Sequence, residues 1–178
     1  MIYTGAATST ALIASVVIDV ANFGNDPVFD SVLIERVDMT RFGIFAETNL
    51  IYGLEMLAVI ATIFALMDSA AGRKVAIYAY NYNTRGAFSK GYSNSPVIDN
   101  LIKISRAFAQ SSGAWVWSEH VPGARNIADL PTRDVVLPLP FRFSSSFGVL
   151  SILSNWVKKD SLATEYFQFY GTPHTGRK

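Results

Sequence analysis

The sequence predicts an α/β fold: a five-stranded mixed sheet with helices on both faces, followed by a C-terminal extension. Short segments rich in β-branched residues come first in the chain. Segments with apolar residues at helical spacing then alternate with further short apolar runs. The resulting element order is βββαβαβα. Such an order fits three antiparallel strands joined by short connections and two further strands reached by crossover helices.

The first forty residues predict the antiparallel strands. Residues 1–10 and 11–20 are rich in β-branched and small apolar residues, which favour extended structure. The cluster from Asn22 to Pro27 predicts a turn, because asparagine, glycine and proline each favour turn conformations. The apolar and β-branched residues of 32–39 predict a third strand.

The rest of the core alternates helices and strands. Thr48 or Asn49 is a suitable cap for a helix from about Leu50 to Ala70, which Gly72 ends. The elements predicted after it are a strand at 75–80, a short helix at 84–89, a helix at 97–110, a strand at 114–120 and a last helix that begins at Asn126.

Composition favours a packed domain that meets a partner. Half of the 178 residues are hydrophobic and only 16% are charged, so little charge remains to cover the surface. We expect one domain over residues 1–134. Residues 135–178 are predicted to be a partly helical extension that docks on this domain or on a partner.

The net charge and the absence of cysteine argue against two kinds of binding site, a broadly basic nucleic-acid surface and a thiolate metal site. A net charge of +1 gives no overall electrostatic footprint for nucleic acid, so binding of that kind would depend on local clusters. The absence of cysteine excludes disulfides and thiolate metal sites.

The sequence predicts an intracellular protein with no membrane span. The apolar run from Met56 to Met67 has twelve residues, against about 20 needed to cross a bilayer. The apolar N-terminus lacks a basic leader and a cleavage signal, so we expect no secretion. The organelle is not indicated.

The segment from Glu119 to Arg133 carries the most specific motif. It reads E-H-V-P-G-A-R-N-I-A-D-L-P-T-R and predicts a strand, a Pro-Gly turn and a helix whose first turn presents Asp129. It resembles the last motif of the ribonuclease H domain of retroelement reverse transcriptases, which reads H-x-P-G-x-x-N-x-x-A-D-x-x-S-R with small spacing variations. The resemblance covers residues 1 to about 134 and implies a ribonuclease H-like fold.

The resemblance also implies a site of four carboxylates that hold two divalent metal ions, which clamp the attacking water and the leaving oxygen. Two of the four positions are kept. Glu55 lies in I-Y-G-L-E-M-L-A, which is similar to the family's N-x-x-E-L-x-A, and Asp129 lies in the motif above. Each of these acids has a simpler interpretation, because an acid in the first turns of a helix offsets the helix dipole.

The other two acids are replaced. Gly5, in I-Y-T-G-A-A-T, stands where the family has aspartate in its first strand. Tyr80 stands where the fourth strand ends in aspartate, although the following Asn81 is kept. Glycine offers no ligand, and a phenol is a poor ligand for a hard divalent ion at neutral pH. At most one ion would bind weakly, through Glu55 and Asp129.

A second alignment of the first strand stays open. In V-V-I-D-V-A, Asp19 follows an apolar run and could supply the first acid. The alignment on Gly5 is favoured because it leaves two further strands before the helix that carries Glu55.

The resemblance therefore implies a domesticated, catalytically inactive domain that acts as a structural or binding subunit of a larger assembly, such as a ribonucleoprotein. We expect protein partners and no cofactor. One alternative is an active, magnesium-dependent ribonuclease H that cleaves RNA in RNA–DNA hybrids through Asp19, Glu55, Asp129 and Asn81.

A second alternative is a non-cleaving domain that binds RNA or an RNA–DNA hybrid. Its basic residues would be Arg73, Lys74, Arg85 and Lys90, with Lys103 and Arg106 nearby in the helices. Trp115 and Trp117 alternate along one strand and point to the same side. For these two side chains, core packing is predicted rather than base stacking.

Overall fold

The computed structural model describes residues 1–9, 11–19, 27–34, 44, 49–66, 69–133 and 142–143. Four sequence predictions lie wholly or mostly outside these residues: the turn from Asn22 to Pro27, the end of the third strand at 35–39, the cap at Thr48, and the helical parts of the extension.

The described strands form one mixed sheet. They are β1 (Ile2–Ala7), β2 (Leu12–Val17), β3 (Val28–Leu33), β4 (Lys74–Ala79), β5 (Trp115–His120) and β6 (Arg142–Phe143). Their order across the sheet is β5-β4-β1-β2-β3-β6. β2 is antiparallel to β1 and β3, while β4 is parallel to β1 and β5 is parallel to β4. The predicted mixed α/β arrangement is confirmed.

Two details of the sheet differ from the prediction. Within the described residues the sheet has six strands rather than five, because β6 pairs in parallel with β3. In addition, β3 begins at Val28, directly after the turn cluster, and not at Val32. Its antiparallel register sets this start, since Val28 pairs with Val17 and Leu33 pairs with Leu12 over the full length of β2.

The described helices between the strands are α1 (Leu50–Ala65), α2 (Tyr82–Lys90) and α3 (Pro96–Ser112). The side chain of Asn81 accepts a hydrogen bond from the Asn83 N–H, so α2 begins before the predicted Thr84. Ser95 caps α3 in the same way and Pro96 follows it. Among the described helices, none is long and apolar enough to cross a lipid bilayer.

Helix α1 forms the centre of the core on one face of the sheet. Its buried residues include Leu54, Leu57, Ala58 and Ala61, the face that the apolar spacing predicts. They pack with Ile13 of β2 and with residues of α3, and a fully buried leucine contributes about 1.5–3 kcal/mol.

The opposite face carries a different structure from the one predicted. The last helix, expected to begin at Asn126, is replaced by three short 3₁₀ helices, Gly123–Arg125, Ile127–Asp129 and Pro131–Arg133. Pro131 has no N–H to bond the carbonyl of Ile127, so a continuous α-helix is interrupted there. Within the described residues, α-helices therefore pack on one face only, and Ala128 of the 3₁₀ segment packs against β2 on the other.

Candidate functional site

The four positions singled out in the sequence meet at one end of the sheet. Gly5 lies in β1, Tyr80 directly follows β4, Glu55 projects from α1, and Asp129 ends the second 3₁₀ helix. A cleft of about 600 Å³ is lined by Glu55, Tyr80, Asp129 and Arg133, together with residues Ala6 to Ser9. The fold brings together residues that are up to 124 positions apart in the chain, from Gly5 to Asp129.

Glu55 is a buried acid at the bottom of this cleft. Only 2% of the residue is exposed, and its Oε2 accepts a hydrogen bond of 3.0 Å from the backbone N–H of Asn81. Burial raises the pKa of Glu55 to about 7. The Asn81 N–H opposes this rise, and the nearby carboxylate of Asp129 adds to it. At neutral pH this carboxyl group is therefore about half protonated.

Asp129 is a partly buried acid with a firm orientation. Its Oδ1 accepts a hydrogen bond of 3.0 Å from the Asn126 side chain, and its Oδ2 lies 3.5 Å from the guanidinium of Arg133. Burial raises the pKa of Asp129, while Arg133 and the Asn126 hydrogen bond act in the opposite direction. Thr132 fixes the backbone, since its hydroxyl donates to the carbonyl of Asp129 at 2.8 Å.

Asn126 connects this segment to the sheet. Its side-chain amide donates to the carbonyl of Thr4 in β1 at 2.9 Å as well as to Asp129, and its oxygen accepts from the Ala128 N–H. The sequence indicated only a helix cap at this position. The spacing of three residues between Asn126 and Asp129 is the signal that could have revealed the second contact.

Gly5 allows the 3₁₀ segment to lie directly on β1. A Cβ atom built on Gly5 would be 2.9 Å from the carbonyl oxygen of Ala128 and 2.9 Å from Oδ1 of Asp129. Both distances are shorter than real Cβ contacts. The space that a first-strand acid would need is therefore occupied by Asp129 and the backbone before it.

Tyr80 occupies the surface of the cleft and is half exposed. Its ring packs on Gly123, where an added Cβ would lie 3.2 Å from the ring. The ring also lines a second hollow of about 490 Å³, whose other side chains include Arg125 and Arg133. The next aromatic residue, Tyr82, stacks on His120 with ring centroids 3.8 Å apart.

The two alternative ligands lie elsewhere or are engaged. Asp19 follows β2, which runs antiparallel to β1, so Asp19 lies at the end of the sheet opposite Gly5. There it forms an ion pair with Arg73. The side chain of Asn81 caps α2, and only its backbone N–H reaches Glu55.

The predicted basic residues do not gather at the cleft. Arg73 and Lys74 lie at the start of β4, at the far end of the sheet, and Arg85 and Lys90 are exposed on α2. Lys103 pairs with Asp99 at 2.6 Å, and Arg106 donates to the carbonyl of Phe88. The cations that line the two hollows are Arg125 and Arg133, which the sequence reasoning missed although both lie within the quoted motif.

Comparison with family models, curated proteins and solved structures finds no match.

The residues of the cleft do not fit a pair of divalent ions. Two such ions carry four positive charges and need a dense set of hard oxygen ligands. The cleft offers two carboxyl groups, one of them half protonated at neutral pH, beside the cation of Arg133. Within the described residues, no three His, Cys, Asp or Glu side chains form a group that could hold a metal ion.

Proposed function

We propose that this chain is a ribonuclease H-like domain of retroelement origin that has lost catalysis and acts by binding, as a structural or binding subunit of a larger assembly such as a ribonucleoprotein. The observation that carries the proposal is the contact over Gly5. The place of the first-strand acid is filled by Asp129 and the carbonyl of Ala128, so no space is left for an acidic side chain at this position.

The connections of the sheet support the fold assignment. The resemblance implies three antiparallel strands, then a helix, then two strands added by crossovers. The described chain has this order and these strand directions from β1 to β5. Three of the four motif positions also line one cleft, and the fourth, Gly5, lies against Asp129, which the resemblance requires and which sequence distance alone would not predict.

The electrostatics of the cleft support the loss of catalysis. Burial raises the pKa of both Glu55 and Asp129, and the charge of Asp129 adds to the rise at Glu55, whose pKa is about 7. A working two-metal site needs ionised ligands at neutral pH. The exposed Tyr80 and the nearby arginines are more suitable for contacts with another molecule than for metal coordination.

A cleavage assay tests the proposal. A labelled RNA–DNA hybrid is incubated with the full chain and Mg²⁺ or Mn²⁺, beside a Glu55→Gln/Asp129→Asn variant purified in the same way as a control for contaminating nuclease. We expect no cleavage by either protein. Cleavage by the natural chain that the double variant lacks would show a working nuclease and overturn the proposal.

A reconstruction experiment sharpens the result. Tyr80→Asp restores one family acid at an exposed position, whereas Gly5→Asp must displace Asp129 and Ala128. We expect Tyr80→Asp to fold and stay inactive. The Gly5→Asp/Tyr80→Asp variant regains cleavage only if the 3₁₀ segment moves, so activity in this variant would confirm the ribonuclease H-like alignment.

A second candidate function is binding of RNA or an RNA–DNA hybrid without cleavage. Arg125 and Arg133 beside the exposed ring of Tyr80 are the observation that favours it. Fluorescence anisotropy with a labelled hybrid, repeated at several salt concentrations, measures the number of phosphate contacts. A slope near zero would exclude this function, and an Arg125→Ala/Arg133→Ala variant should lower any slope observed.

A further inference from the structure

Strand β5 forms one end of the described sheet, next to β4. The N–H of Trp115 donates to the carbonyl of Arg73 and the N–H of Val121 to the carbonyl of Ala79, at 2.8 and 3.1 Å. Backbone groups alternate in direction along a strand, so the odd-numbered residues face β4. The N–H and C=O groups of the even-numbered residues, Val116, Ser118 and His120, therefore point away from the sheet. No residue that the structure describes pairs with them.

The side chains of β5 alternate between the two faces of the sheet. Val116 packs against the core beneath α1, and the hydroxyl of Ser118 donates to the carbonyl of Arg85 in α2 at 3.2 Å. Trp115 and Trp117 therefore project from the opposite face, where they are 75% and 44% exposed. The prediction that these two tryptophans pack in the core is wrong.

The exposure of the tryptophans has a structural cause. On their face of the sheet, the described 3₁₀ helices pack on β1 and β2 and do not extend to β5. Tyr78 of β4 stacks on Tyr3 of β1 with ring centroids 4.8 Å apart, which continues the aromatic surface toward the centre of the sheet. Two adjacent exposed indoles form an apolar patch of the kind that marks an interaction site.

Among the residues that the structure describes, the edge of β5 also lacks the usual protection. Natural edge strands are blunted by proline, by lysine or by inward-pointing charges, because an open edge pairs with other chains. β5 reads W-V-W-S-E-H, with no proline, no lysine and a single acid, Glu119. An open edge beside an aromatic patch is the arrangement used to accept an additional strand.

The charge beside this edge is positive on the helix side. Helix α2 lies along β5 and reads Y-N-T-R-G-A-F-S-K, which includes Arg85 and Lys90 and no acidic residue. Both cations are exposed. A strand added to β5 would therefore meet indole rings on one face and positive charge on the other.

We propose that an extended segment of a partner protein adds to the free edge of β5, with apolar side chains against Trp115 and Trp117 and acidic side chains toward Arg85. This proposal rests on the proposed function, because it names the class of partner that a binding subunit would contact. The residues of β5 and α2 that carry it lie outside the cleft. A second copy of this chain fits less well. Two-fold pairing of β5 with itself would bring the basic α2 helices of both copies to the same side of the joined sheet.

Tryptophan fluorescence tests the proposal in the full chain. Trp156→Phe leaves Trp115 and Trp117 as the only tryptophans. The probe is a synthetic peptide, acetyl-(Val-Glu)₃-Val-amide. The matched controls are the same peptide with two interior prolines, which cannot pair along a strand, and a Val-Lys peptide of the same length. We expect the Val-Glu peptide to shift the emission to shorter wavelength and to reduce acrylamide quenching in a saturable way, with neither effect from the controls.

A charge swap gives a second readout. Arg85 is exposed, so Arg85→Glu should fold normally, as circular dichroism will show. We expect this variant to bind the Val-Glu peptide at least about fivefold more weakly, a loss of about 1 kcal/mol, and to gain binding of the Val-Lys peptide.

Four results would overturn the proposal. The first is the absence of a saturable effect at about 1 mM peptide, a range in which even weak strand addition is detectable. The second is protection of the tryptophans from acrylamide quenching at every protein concentration without peptide, which means that the chain covers its own edge. The third is protection that grows with protein concentration, which means that a second copy binds, and the fourth is protection by single-stranded RNA alone. The cleavage assay separates this proposal from the proposed function. Cleavage of the hybrid would overturn the proposed function whether or not the peptide binds. If the hybrid is not cleaved and the peptide has no effect on tryptophan fluorescence, only the proposal of strand addition is overturned.

Discussion

At one end of the sheet, Asp19 meets the guanidinium of Arg73, and each group compensates the charge of the other at a partly exposed position. At the opposite end, Glu55 and Asp129 line one cleft, where Asp129 forms an ion pair of 3.5 Å with Arg133 and Glu55 accepts a hydrogen bond from the neutral backbone N–H of Asn81. Burial raises the pKa of both acids despite these partners. Stability alone does not favour such an arrangement, because the ionised form of a buried carboxyl group costs free energy.

Under the proposed ribonuclease H-like origin, Glu55 and Asp129 would be the two acids kept from a metal site. Protonation of Glu55, whose pKa is about 7, then reduces the repulsion between them. Substitutions at the two ends of the sheet test this comparison.

The largest effect is expected from Gly5→Asp. The added Cβ overlaps the carbonyl of Ala128 and the carboxylate of Asp129, and the new acid repels the existing one. We expect a loss of about 4 kcal/mol in the free energy of unfolding, measured by urea denaturation.

Gly86 provides the matched control for Gly5. It lies inside α2, and a Cβ added there meets no atom within 4 Å. Gly86→Ala should therefore stabilise the protein by up to about 1 kcal/mol, since alanine is the better helix former. If both glycine variants destabilised the protein equally, the close approach of Ala128 to β1 would not be the cause.

The second effect is a dependence of stability on pH that arises from Glu55. Its pKa is raised from 4.5 to about 7 on folding, so its contribution to stability is complete below about pH 4.5 and is lost as the pH rises to about 7. The difference of 2.5 pKa units corresponds to about 3 kcal/mol at most. Asp129 adds to the same trend, because its pKa is also raised.

Glu55→Gln removes this titration while keeping an oxygen for the Asn81 N–H. We expect the variant to be more stable than the natural chain by about 2–3 kcal/mol at pH 8 and equal to it at pH 4.5, in thermal unfolding at both values. A natural chain whose Tm does not fall between pH 5 and 7.5 would contradict the assignment.

The third effect concerns Asn126. Asn126→Ala removes the hydrogen bonds to Thr4 and Asp129 from a side chain that is almost fully buried. We expect a loss of about 2 kcal/mol and a further rise in the pKa of Asp129, which NMR titration of its carboxyl carbon can follow. Asn83→Ala, at an exposed position of α2, is the control and should change neither quantity.

Local patterns predicted most of the fold, because periodicity, caps and turns act over a few residues. The strand directions from β1 to β5, the buried face of α1 and the meeting of Glu55, Tyr80 and Asp129 all followed from such patterns or from the motif. The parts that failed depend on tertiary contacts. Pro131 interrupts a helix that the motif alone would allow, and the exposure of Trp115 depends on which elements reach the last strand.

The Asp19–Arg73 pair shows the same limit at the other end of the sheet. The apolar run before Asp19 made this residue an alternative ligand. Because β2 runs antiparallel to β1, however, Asp19 lies at the end of the sheet away from Glu55. No local feature marks a pair whose members are 54 residues apart.

The smallest effect is expected from breaking that pair. Asp19→Asn leaves the partly exposed Arg73 with a neutral partner, and the hydrogen bonds and charge of Asp19 are what raise the pKa of Arg73. Partly exposed ion pairs contribute little and are screened by salt, so we expect a small fall in Tm at low ionic strength that disappears in high salt. The same substitution tests the alternative site, because a nuclease that used Asp19 would lose all cleavage. If the Asp19–Arg73 pair lies at the far end of the sheet, by contrast, its loss changes only the salt dependence of stability and leaves any cleavage unaffected.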